Sequence, residues 1–248
     1  EALEALQRAD LLYAPSMTSD VETAASLGNI GNVMESAGDY AGALRNFDAA
    51  IVLLEKDAAN QAAARKIRRS RARTLGLAGR HEEALEALTT LREEERREEG
   101  VDSPSYAITT WQLAVLARQM NDPARGEAWL EEARTRFAAF LGPEHVLFAH
   151  VHRLQAAFAR MRGDLTVAAG EINEAIARLE ALGGIEVDLA IARAERAGIN
   201  LARGRTAAAR RELAQVLPIL RQAMLPTEVN RAAAETLARR IGLSASSD

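Results

Sequence analysis

One short phrase recurs five times along this 248-residue chain, and it is a turn between two helices. Gly38-Asp39-Tyr40-Ala41-Gly42-Ala43 is the clearest copy, and the others start at Gly79, Asn121, Gly163 and Gly204. The starting points step by 41, 42, 42 and 41 residues. A fixed period of this length is the signature of a solenoid, in which each helix pair buries its apolar face only by stacking on its neighbours. The leading Gly ends one helix in a left-handed conformation, and the Asp or Arg after it opens the next.

Reading outwards from these turns predicts an all-α chain of twelve helices: 1–12, 18–37, 40–56, 59–78, 81–98, 104–120, 123–140, 144–162, 165–181, 186–203, 206–222 and 227–241. They group as a single array over 1–248. Five pairs (18–56, 59–98, 104–140, 144–181 and 186–222) are flanked by half-repeats, a partial preceding repeat over 1–17 and a capping helix over 227–242. Pro218 is expected to interrupt and kink the helix that starts at Thr206.

The second helix of every pair has the same anatomy. A small residue comes first, a larger apolar one four later, and a small or apolar one three after that. The copies are Ala43/Phe47/Ala50, Ala84/Leu88/Leu91, Gly126/Leu130/Ala133, Ala168/Ile172/Ala175 and Ala209/Leu213/Val216. Spacings of three and four keep each set on one helical face, so all fifteen are expected in the core. A 4% aromatic content suits closely stacked helices filled with small side chains.

The first helix of repeat one carries Leu27, Ile30, Gly31 and Met34. Together with Gly28, Asn29, Asn32, Gly38-Asp39-Tyr40, Ala43, Phe47 and Ala50, these residues resemble the tetratricopeptide repeat (TPR). The period near 42 and the linker Leu141-Gly142-Pro143-Glu144-His145 resemble the longer subtype found in kinesin light chains and many bacterial regulatory proteins. Gly100-Val101-Asp102-Ser103-Pro104 resembles a degraded copy of that linker. The resemblance covers residues 18 to 225 and implies a right-handed α-solenoid that binds proteins or peptides in its concave groove. Three first helices depart from it: Arg68/Arg71, His152/Gln155 and Arg193/Arg196 stand where the family has apolar or small residues. Either the register slips by one there or those turns are unusually polar.

Net charge is -4, which gives no global electrostatic case for nucleic acid. Cysteine is absent, so neither a disulfide framework nor a thiolate metal site is available. No apolar run is long enough to span a membrane. Only Lys56 and Lys66 among the 31 basic residues are lysines, which points to a high-GC bacterial source. The compartment stays open between cytoplasm and periplasm. The chain opens at Glu1 inside a helical pattern, as a piece of a longer protein would. A regulatory region of a bacterial serine/threonine kinase and a self-associating scaffold are the alternative contexts.

No catalytic constellation, cofactor site or metal site is expected. His81-Glu82-Glu83 lacks the second His of a zinc-protease helix, because Leu85 stands there. His145, His150 and His152 scatter around a helix start, although His145 and His152 could share a face. The stretch from Arg65 to Arg73 is the most unusual. On a helix, Arg65, Lys66, Arg69 and Arg73 lie opposite Ile67, Thr74 and Leu77, and the TPR resemblance puts that basic strip in the groove. Arginine forks pair with carboxylates or phosphates, so the expected partner is an acidic or phosphorylated peptide. Asn29 and Asn32 offer amides to an extended backbone. Trp111, near Ile108, Val115 and Arg118, is placed as an aromatic anchor on the same side. Arg153 completes the candidate set of Asn29, Asn32, Lys66, Arg69, Arg73, Trp111, Arg118 and Arg153. Trp129 reads as structural, and the run Glu93 to Glu99 as an exposed rim with a Glu93–Arg97 pair.

Overall fold

A computed structural model describes residues 19–142 and 144–243. The expected helix over 1–12 lies outside the described residues. Eleven α-helices follow, each beginning and ending within a few residues of its expected bounds: α1 (Asp20–Ser36), α2 (Tyr40–Leu54), α3 (Gln61–Leu77), α4 (His81–Glu98), α5 (Pro104–Gln119), α6 (Pro123–Phe140), α7 (Val146–Met161), α8 (Leu165–Leu182), α9 (Glu186–Ala202), α10 (Thr206–Ala223) and α11 (Val229–Arg240). No strand occurs among the described residues. Pro218 does not interrupt its helix, since α10 continues through it to Ala223.

The turn phrase behaves as its chemistry requires. Gly38, Gly79, Gly163 and Gly204 all have φ between 75° and 83°, and Asn121 occupies the same place at φ 57°. Asn is the non-glycine residue best able to take that conformation. After each of the four glycines, the next backbone N–H reaches back to close the preceding helix. Asp39 N donates to Met34 O at 2.9 Å, and Arg205 N to Asn200 O at 2.8 Å. Asp39, Asp122 and Asp164 then cap the following helix through side-chain oxygens, whereas Arg80 and Arg205 stand at the same position without a side-chain cap.

The chain divides into two compact units, residues 1–120 and 121–248. In the first, α1 packs on α2, α2 on α3, α3 on α4 and α4 on α5. In the second, α6 to α11 follow one another in the same way, and α11 also touches α9. All fifteen repeated second-helix positions are buried. The glycines of this pattern make room for rings. A Cβ on Gly31 would stand 2.6 Å from the Phe47 ring, and one on Gly126 would stand 2.2 Å from the Phe158 ring. Each glycine is thus the floor of an aromatic socket. In the second unit, α11 closes the apolar core of α9 and α10 with Ala234, Ala238 and Ile241.

The three irregular first helices keep their register and are unusually polar instead. Arg68 is held by Glu94 of α4 and Arg71 by Asp48 of α2. His152 Nδ1 lies 2.7 Å from Glu171 of α8, while Gln155 is half-buried in α7. Arg193 reaches Glu180 of α8, and Arg196 reaches Glu212 of α10 and Asn173 of α8. The four arginines and His152 still face the second helices, but the contact is polar rather than apolar.

Candidate partner-binding surface

In the first unit, the basic stretch of α3 does not present a free cationic strip. Its guanidiniums are shared among three neighbouring helices. Arg65 meets Glu98 of α4 and Glu99 at its C-cap, the latter at 2.8 Å. Arg68 takes Glu94 in two hydrogen bonds of 2.7 and 2.9 Å, and that partner, outweighing burial, raises its already high pKa. Arg69 holds Glu95 at 2.8 Å with both side chains largely out of water. The charge expected in the groove at Arg69 is thus paired inside the α3–α4 hairpin. The exposed rim expected for Glu93 to Glu99 is corrected, since Glu95 is fully buried. A free carboxylate is costly in such surroundings, which is why the arginines turn inward.

Comparison between repeats shows what is unusual about this hairpin. Glu95 occupies the position that Leu54, Phe137, Leu179 and Leu220 fill in the other four second helices, and all four are buried. Arg65 stands where the other first helices carry Ala24, Ala107, Ala149 and Ala190. Repeat two thus replaces apolar core by charge. Arg65 Nε, Arg69 Nε and Glu95 Oε2 are buried with no hydrogen-bond partner in the structure.

Arg73 lies further along α3 and is about two-fifths exposed. It bridges to α1, with Nη2 2.9 Å from Glu35 Oε1 and 3.1 Å from Asn32 Oδ1. The same Glu35 carboxylate accepts the hydroxyl of buried Thr74. Asn32 and Arg73 are one repeat apart and are brought together side by side. Asn29 lies one turn before Asn32 on α1 and is exposed. Lys66, also exposed, makes no ion pair among the described residues.

On α5, Trp111 and Arg118 are half-buried, as is Val115, and Ile108 is exposed. Offsets of three and four from Trp111 put Ile108 and Val115 on its side of the helix. Register by repeats pairs Ile108 with Lys66, Trp111 with Arg69 and Val115 with Arg73. Among the described residues, these first helices carry the Asn29 and Asn32 amides, the Lys66 ammonium, Arg73 bridged to Glu35, Arg118, and the apolar Ile108 and Val115 on the Trp111 side of α5. On the side of the second helices, a hollow of about 450 Å³ opens between α2 and α4, floored by Arg68 and Arg71.

In the second unit, Arg153 of α7 is also engaged within the chain. It makes a bidentate pair with Glu195 of α9 at 2.8 and 3.0 Å, and these carboxylate contacts hold its pKa above the ordinary arginine value against the effect of burial. The three clustered histidines go to separate roles. His145 caps α7 by accepting the Leu147 N–H, His150 sits beside Arg153, and His152 meets Glu171. Trp129 is half-buried on α6 with Arg125 over its ring at 5.9 Å.

No family model matches this sequence, and no curated protein matches it. Solved structures do match in fold. BtubC from P. vanneervenii superposes with a TM-score of 0.64 at 15% identity, covering 99% of this chain and 90% of that one. A Rap protein complexed with competence and sporulation factor gives 0.65 at 16% identity, covering 97% and 68%. A thermophilic TPR protein from Thermus thermophilus gives 0.59 at 22% identity, covering 86% and 99%. The fold is TPR-like. Helix pairs at a 41–42-residue period, with small residues seating large ones, are how this chain builds it.

Proposed function

We propose that this chain is a non-catalytic protein- or peptide-binding module whose recognition surface is the face of its first helices. The observation that carries the reading is in the first unit. There Asn29, Asn32 and Lys66 are exposed on the first helices, and Trp111 is half-buried on α5. The TPR-like neighbours support a module for protein interaction, and one of them, a Rap protein, is complexed with competence and sporulation factor.

The chemistry favours an extended segment with an apolar side chain. Asn amides can hold a peptide backbone by donating and accepting at once. The stripe of Ile108, Trp111 and Val115 is suited to a buried anchor, the role in which aromatic residues dominate interface energy. A partner carboxylate or phosphate would meet Lys66 directly, but it would have to compete with Glu35 for Arg73. Arg69 supports the surface from beneath, and Arg118 borders the stripe. In the second unit, Arg153 sets the position of α7 against α9.

The test is partner capture from the source cells by the chain and by three variants: Asn32→Ala, Trp111→Ala and, as a control on the outer face of α2, Val52→Ala. Val52 is 64% exposed. Loss of one captured protein with the first two, and its retention by the third, is the expected result. Equal capture by all four forms would remove the first-helix face as the binding surface.

A further inference from the structure

Arg73 uses only part of its guanidinium within the chain. Nε donates to Glu35 Oε2 of α1 at 3.2 Å, and Nη2 lies 2.9 Å from Oε1 of the same carboxylate. Nη2 also donates to Asn32 Oδ1 at 3.1 Å. Nη1 makes no hydrogen bond or ion pair among the described residues. The Asn32 amide is oriented by the same contact. A guanidinium has donors and no acceptor, so the Asn32 atom beside it must be the oxygen. Its nitrogen, Nδ2, is left over and also has no partner among the described residues. Two amino groups on adjacent first helices, 41 residues apart, thus keep their hydrogens uncommitted.

Glu35 decides what those hydrogens can take. Its side chain is only 11% exposed, and it accepts the hydroxyl of fully buried Thr74. Ser70 O, 3.1 Å from the same hydroxyl, is the weaker acceptor, because a carboxylate makes a charge-assisted bond. Glu35 therefore cancels the Arg73 charge at contact distance. A neutral carbonyl oxygen arriving at Nη1 loses nothing by this. A carboxylate or phosphate would bring a second anion to a pair that is already neutral, beside a Glu35 largely out of water, where like charges repel more strongly than in solvent. Lys66 stands seven residues earlier on α3. That is about 10 Å along the helix, a full screening length at ordinary salt, so Lys66 does not offset the repulsion.

We propose that Arg73 Nη1 and Asn32 Nδ2 form a donor site for the amide carbonyls of an extended, uncharged segment, and that Glu35 sets this preference. The proposal rests on the peptide-binding reading of this face and narrows it. Glu35 is a positioning residue that does not touch the segment. It holds the guanidinium against Asn32 and removes its net charge, so the site favours amide oxygens over acidic groups.

The test compares the wild-type chain, Glu35→Gln and Arg73→Lys on a synthetic library of short peptides with leucine fixed at the centre. The best uncharged peptide is then scanned with Glu at each position. The wild type should gain affinity from Glu at no position. In Glu35→Gln, where the Arg73 charge is uncancelled, Glu at one position should strengthen binding by about tenfold. Loss of a merely structural residue would weaken every peptide alike. Arg73→Lys keeps an ion pair with Glu35 but lacks the second amino group, so the uncharged peptide should bind about threefold or more weakly at unchanged helix content. A wild-type preference for an acidic peptide, or one peptide profile shared by the wild type and Glu35→Gln, would overturn the proposal while leaving peptide binding in place. Full affinity in Arg73→Lys would overturn it as well. Absence of binding by all three forms would overturn it together with the extended-segment reading on which it rests.

Discussion

At the scale of single residues, Glu95 is the most consequential side chain in the molecule. It takes a position that is Leu or Phe in every other repeat and has no exposed surface. Removing only one member of its pair leaves the other charge stranded. Glu95→Leu or Arg69→Ala alone should each cost about 3–5 kcal/mol in urea unfolding. The double variant Arg69→Ala/Glu95→Leu restores the apolar pattern and should be neutral or more stable by about 1–4 kcal/mol. A double variant as unstable as the singles would show that the pair is not the reason Glu95 is tolerated. The oddity of Glu95 was legible in the sequence, because aligning the five repeats sets it against Leu54, Phe137, Leu179 and Leu220. Reading Glu93 to Glu99 as one charged run hid it. A run describes neighbours in sequence, whereas burial follows the helical face. The pairing of the basic stretch of α3 was hidden for the opposite reason. Its partners Glu94, Glu95 and Glu98 are on the next helix and Glu99 caps it, and nothing in the spacing within α3 reveals them.

At the scale of the helices, the turn phrase and its sockets carry the architecture. Gly31 and Gly126 are fixed by the rings of Phe47 and Phe158. Alanine at either site gains about 1 kcal/mol of helix propensity but forces the ring to move, so each substitution should destabilise by about 1–3 kcal/mol. A gain in thermal midpoint for Gly126→Ala would mean the socket is looser than the structure shows. The caps offer a change in the other direction. Arg205 stands where Asp39, Asp122 and Asp164 accept a backbone N–H, and it makes no side-chain cap. Arg205→Asp should add about 0.5–1 kcal/mol by supplying that acceptor at the positive end of α10. Calorimetry would read it, and no gain would mean the N–H groups there are already satisfied. These elements were the most legible part of the chain. Offsets of three and four, Gly before Asp, and a constant period are local signals that survive without any knowledge of tertiary partners. Pro218 was the exception, since the helix from Thr206 carries on through it.

At the scale of the whole molecule, the chain is rich in arginine yet offers little free positive charge on the face proposed for binding. Arg69, Arg73 and Arg153 are each matched to a carboxylate within the chain, and net charge is -4. Partner affinity should therefore fall only slightly between about 50 mM and 200 mM salt, unlike the steep loss that accompanies binding through many ionic contacts. A loss of about tenfold or more over that range, measured by titration calorimetry, would return the basic residues to a direct role. The face proposed for binding was only partly legible. Register alone puts Asn29, Asn32, Lys66 and Trp111 on first helices, but the pairing of the arginines depends on contacts between helices that only the folded chain displays.

The central claim is that the first helices, and not the outer second helices, carry the partner. A photo-reactive amino acid placed in turn at positions 32, 111 and 52 tests it directly in the source cells. Adducts of one defined mass from positions 32 and 111, with none from position 52, are predicted. Adducts from position 52 alone would place recognition on the opposite side of the repeats and contradict the account.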